Sequence, residues 1–89
     1  MTMTNKPLTS QLISVAHFFR IGHEAQANQS FTNSLDMLSE YCTKLSPQQL
    51  NQITPLIEPM LLAQQRRDTL FLADIIEHEL IPLVITFRV

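Results

Sequence analysis

The chain has 89 residues and a mass of 10.2 kDa, room for one domain, with eight acids against six bases for a net charge of −2. Its single glycine, Gly22, excludes phosphate-cradling loops, dinucleotide-binding turns and tight β-hairpins, all of which need positive φ or backbone open to a ligand. The bases are scattered at Lys6, Arg20, Lys44, Arg66, Arg67 and Arg88, which excludes a phosphate-tracking stripe, and the lone Cys42 excludes an internal disulfide.

Residues 1–7 are expected as a flexible lead-in to one domain spanning 1–89. At about 100° per residue, Leu8, Leu12, Val15, Phe19 and Gly22 fall on one stripe, which predicts a helix over roughly 8–27. A glycine inside a helix costs about 1 kcal/mol relative to alanine, so close approach by another helix is expected at Gly22. The polar run from His23 to Ser30 separates two apolar phases, and a break is expected near Asn28 to Ser30. A second helix then carries Phe31, Leu35, Leu38, Cys42 and Leu45 at the 4-3-4-3 spacing of a seam facing another helix.

Ser46-Pro47-Gln48-Gln49 reads as a helix start: serine to cap, proline in the first turn, glutamine to complete a capping box. Leu50, Ile53, Ile57, Met60, Leu61 and Gln64 form one face of this third helix, with Pro55 and Pro59 on the opposite side. Prolines facing solvent allow one continuous helix, because water can satisfy the carbonyls they leave without donors; the competing reading ends the helix at Ile53 and restarts at Thr54. Asp68 is expected to cap a fourth helix, with Arg66 and Arg67 at the end of the third helix dipole that favours cations.

In the fourth helix Leu72, Ala73, Ile76, Leu80 and Leu83 make the main face, while Leu70, Phe71, Ile75 and Ile81 cover much of the rest and leave Asp74, Glu77 and His78 as a wet strip. A helix apolar nearly all round is buried on more than one side. Pro82 either kinks or ends it, and the apolar tail 83–89 is read as a last helical turn or an extended arm.

Chemistry is sparse. Asp74 and His78, four apart with Glu77 beside them, could offer two ligands to a metal, but the Glu-x-x-His pairs of bundle metal sites are missing, so a solvated acidic face is expected. Cys42 has no basic sequence neighbour to lower its pKa and reads as a small core hydrophobe, and His23 as a residue at the core edge. Glu79 sits at the border of the buried face and wants a cation, with Arg20, Arg66 or Arg67 the candidates. No nucleophile, base and oxyanion donor can be argued together, and no cofactor is expected.

The segment 61–83, and within it Leu72-Ala73-Asp74-Ile75-Ile76-Glu77-His78-Glu79-Leu80-Ile81-Pro82-Leu83, resembles small all-helical bacterial proteins of unassigned function, some of them similar in size and organisation to flagellar export chaperones. The resemblance implies a cytoplasmic bacterial protein that binds another protein through helices, and it carries no catalytic residue. The first seven residues lack the apolar core of a signal peptide and no apolar run reaches the roughly 20 residues of a membrane span, so neither export nor membrane insertion is expected.

Together these readings predict an all-α four-helix bundle of two helical hairpins. At 45% hydrophobic and 16% charged, the chain has little charge to cover its outside, and a homodimer is expected. Phe71, Ile75, Glu79, Ile81, Leu83 and Phe87 are its expected interface. The expected function is a non-enzymatic protein-protein interaction module with a helical partner, without nucleic acid or membrane. The alternative is a small metal- or ligand-binding helical protein using Asp74, Glu77, His78 and His23.

Overall fold

The computed structural model describes residues 6–87, all of it helix and short turns. In chain order come α1 (Lys6–Arg20), α2 (Glu24–Cys42), α3 (Pro47–Gln65) and α4 (Thr69–Ile75), then a π turn (Ile76–Leu80) and α5 (Ile81–Thr86). No strand occurs among the described residues. Of the expected lead-in, residues 1–5 lie outside the described residues and Lys6 and Pro7 already belong to α1; at the other end, Arg88 and Val89 lie outside.

Helix α1 is the hub. It packs along α2, along α4, and against the π turn and α5, whereas α3 leans on α4 and the π turn and has little direct backbone contact with α2. The α1 stripe of Leu8, Leu12, Val15 and Phe19 is buried as its spacing predicts, with Ala16 added. On α2 the buried face is Ala27, Phe31, Ser34, Leu38 and Tyr41, so Leu35 and Cys42 turn partly aside toward α3. Phe19 and Phe31 join the two helices edge to face, ring centroids 6.4 Å apart. Ser34 is buried without a polar cost, since its hydroxyl donates to the Ser30 carbonyl at 2.9 Å.

The first helix ends earlier than its periodicity predicts. Gly22 has φ +81° and stands just past the end of α1, where a left-handed residue reverses the chain. His23 N–H donates to the Phe18 carbonyl at 3.0 Å and Gly22 N–H to the Phe19 carbonyl at 3.3 Å, the two bonds of a Schellman motif. The His23 and Phe18 rings stack across it with 9° between their planes. A Cβ on Gly22 would meet nothing within 4 Å, so backbone conformation and not helix approach requires the glycine. The break expected near Asn28 to Ser30 is absent: the chain turns at Gly22, and the polar run from Glu24 is the first part of a continuous α2.

The same motif ends α3, with Arg67 at φ 60° in the left-handed position, Asp68 N–H bonding the Ala63 carbonyl at 2.9 Å and Arg67 N–H the Gln64 carbonyl at 3.1 Å. At its start the capping box forms in both directions: Gln49 N–H to the Ser46 hydroxyl at 3.2 Å, Ser46 N–H to the Gln49 side-chain oxygen at 3.0 Å. The helix then runs unbroken through Pro55 and Pro59, which line a groove on the side away from the buried Ile53 and Met60. Asp68 caps α4 by accepting from Phe71 N–H at 3.3 Å.

The remaining run, α4 to α5, departs furthest from regular periodicity. Leu72, Ile76, Leu80 and Val84 recur every fourth residue and are all at 0% exposure. In a regular α-helix four residues advance about 400°, so three such steps would drift about 120° from the starting face. The π turn inserts one residue and takes back about 100° of that drift, keeping all four side chains on α1 and its neighbours. Ile81 N–H reaches five residues back to the Ile76 carbonyl, and Pro82, which has no N–H to give, follows on the exposed side. Val84 thus takes the buried place expected for Leu83, which is half-buried. The tail is helical to Thr86 and extended at Phe87, which is buried.

Replacing Gly22 with alanine is expected to cost about 1–2 kcal/mol in urea unfolding despite the open space, and Gly22→Asn distinctly less, because asparagine tolerates the left-handed region. Asparagine costing as much as alanine would contradict the conformational explanation.

Candidate interaction surfaces

The residues expected at an interface divide into three groups. Ile75, Ile81 and Phe87 are buried in this chain's own core at 3%, 8% and 6% exposure, which accounts within one chain for much of the apolar circumference of the fourth helix. Leu83 packs partly against that core. Phe71, half exposed, and Glu79 face outward.

Apart from Ile13, Ile21 and Ile85, the large apolar side chains left exposed among the described residues fall within 61–71. Leu61, Leu62, Leu70 and Phe71 are 43%, 39%, 60% and 50% exposed and stand at the corner where α3 hands over to α4. An open groove of about 880 Å³ runs along the outer face of α3 to this corner. Pro55, Pro59, Leu62 and Phe71 give it an apolar lining, and three charged residues stand in it, Glu58, Arg66 and Asp68, the last already accepting from Phe71 N–H as the α4 cap. Each proline withholds a helical N–H, so the Asn51 and Pro55 carbonyls of the same groove lack their α-helical donors.

A second depression, about 360 Å³, separates α2 from α3, the pair of neighbouring helices that do not close on each other. Leu35, Leu38 and Cys42 line it from α2, and Leu50, Ile53 and Ile57 from α3, with Ser39 and Thr54 as its only hydroxyls and no charge. Burial pushes the Cys42 thiol above its ordinary value, as befits an apolar wall more than a nucleophile. Sequence reasoning placed Leu35 and Cys42 in a helix-helix seam, and they do face α3, across a gap.

The acidic strip is occupied by an arginine. Arg20, at the end of α1, donates to Asp74 Oδ1 at 2.8 Å and to both Glu77 oxygens, Oε1 at 2.8 Å and Oε2 at 3.1 Å. Arg20 therefore meets Asp74 and Glu77 and not Glu79, and Arg67 pairs with Glu24 at 2.7 Å. Glu79 takes part in no ion pair found among the described residues. His23 lies away from the strip, its Nδ1 3.1 Å from the Gln26 side-chain oxygen. No group of three or more His, Cys, Asp or Glu among the described residues is placed to hold a metal ion, and no described helix is long and apolar enough to cross a membrane.

No family model, curated protein or solved structure matches the chain.

The hydrogen bonds from Arg20 hold the Glu77 carboxyl below its ordinary pKa, and the positive charges of Arg20 and His78 add to this against burial and the charge of Asp74. A carboxylate whose folded pKa is depressed contributes stability that is complete above its unfolded value, near 4.5, and is lost as pH falls through the folded value. Arg20→Gln is expected to lower Tm at pH 7 by a few degrees while the two Tm profiles converge as pH falls below the unfolded carboxylate value and through the depressed folded one. Parallel profiles down to the lowest pH would contradict a stabilising pair.

Proposed function

We propose that this protein is a non-enzymatic protein-protein interaction module, a four-helix bundle of two hairpins that works as a homodimer and receives an amphipathic helix of another protein. The α2–α3 cleft carries this reading. It is apolar and free of charge, and it lies where the arrangement α2–α1–α4–α3 is left open, so one additional helix would cover the partly buried Leu35, Leu50 and Ile57. A helix presenting Leu, Ile or Met at i, i+3, i+4 and i+7 fits such a groove, and its affinity would come from apolar burial and not from ion pairs.

Cys42 supplies a direct readout, being the chain's single cysteine and lying in the cleft. In pull-downs from the source organism, the partner is expected to be retained by the wild type, to bind Ile57→Asp at least about tenfold more weakly, and to slow thiol modification of Cys42 when bound. Helical circular dichroism of the variant separates loss of binding from loss of fold. A partner that binds Ile57→Asp normally and leaves Cys42 equally reactive would place the docking site elsewhere.

A further inference from the structure

The outer groove of α3 is a separate surface, and two of its three charged residues, Glu58 and Arg66, are placed symmetrically about Leu62. Leu62 is near its middle, with Glu58 four residues before and Arg66 four residues after, all three lining the groove. When two copies of one helix pack antiparallel about a two-fold axis through position 62, residue 62−n of one meets residue 62+n of the other. Glu58 then stands level with Arg66 of the second copy, about 6 Å along the helix from the axis, and the pair is formed twice. Neither Glu58 nor Arg66 takes part in an ion pair found among the described residues, so both are available.

Two further features agree with this arrangement. The rotation carries the half-exposed Phe71, at one end of the groove, toward the Pro55 end of the other copy, matching an aromatic ring with a proline surface. It also brings a guanidinium, with five N–H donors, close to the Pro55 carbonyl, which lacks a helical donor. The exposed Leu62 supplies apolar area at the centre.

We propose that the homodimer forms through α3, antiparallel about a two-fold axis at Leu62, with Glu58 of each copy paired to Arg66 of the other and Phe71 covered at each end. This rests on the dimeric reading given above and moves the seam from the fourth helix to the third. The occupant is a second copy of this chain, because a single sequence supplies both halves of the charge pattern.

The test is a charge-swap cycle, measured by light scattering and analytical ultracentrifugation over a concentration series. Glu58→Arg sets like charges opposite each other at both pairs, as does Arg66→Glu, and each is expected to raise the dimer dissociation constant about tenfold or more. The double variant Glu58→Arg with Arg66→Glu restores opposite charges and is expected to return to within about threefold of wild type. Both positions are on the outside of α3, and circular dichroism verifies that each variant folds. A wild-type dimer indifferent to the single reversals, or a double variant no tighter than the singles, overturns this seam and leaves dimerisation standing. A wild type that is monomeric throughout overturns the dimeric reading itself.

Discussion

The constraint on which the rest of the structure depends is that α1 must be covered along its length by a run of side chains recurring every four residues. Leu72, Ile76, Leu80 and Val84 meet that requirement only because the helix accepts one extra residue between α4 and α5. Wound as a regular α-helix with the same residues, the run would rotate Val84 and Phe87 off α1 and leave a long apolar stripe facing water. With it, Ile75 and Ile81 also find places in the core, and the chain covers its most hydrophobic segment by itself.

This internal solution determines which surfaces remain. Because α1 takes α2 on one side and the α4 to α5 run on the other, α3 is left attached chiefly to α4 and the π turn, and α2 and α3 stay apart. Arg20 reinforces the arrangement by tying the end of α1 to both α4 and the π turn through Asp74 and Glu77. The result is a firm three-segment core and a peripheral helix with apolar surface on two sides. One side is the uncharged cleft toward α2; the other is the groove with Glu58 and Arg66. Their different chemistry is the basis for proposing different occupants, a foreign helix held by apolar burial for the cleft and a second copy held partly by paired charge for the groove.

Features coded by a few adjacent residues were legible. The Ser46 and Gln49 capping box and the Asp68 cap form as read, because each depends on hydrogen bonds within a single turn. The α1 stripe was legible too, being wholly apolar on one side. Gly22 misled because it falls on that stripe by spacing; the polar run and phase change just after it were the better signal for a left-handed helix end. On α2, Ser34 and Tyr41 are buried at spacing equal to that of Leu35 and Cys42, and side-chain polarity pointed to the wrong row. The π turn did have a signature, the strict fourfold spacing followed by Pro82, but a ruler of 100° per residue cannot register an insertion. The Arg20 clamp joins residues more than fifty positions apart and needs the tertiary arrangement to be seen.

The register of the last helical run is the central claim, and a one-residue deletion measures it directly. Removing the exposed His78 in a Pro82→Ala background, where no proline opposes a regular helix, converts the buried spacing to 4-3-4 and leaves all four core side chains on one α-helical face. A cooperative thermal transition within about 5 °C of the Pro82→Ala parent is the expected result. Loss of that transition, or a Tm lower by about 15 °C or more, would show that Val84 and Phe87 depend on the full residue count and would contradict the claim that the inserted residue serves only to keep register.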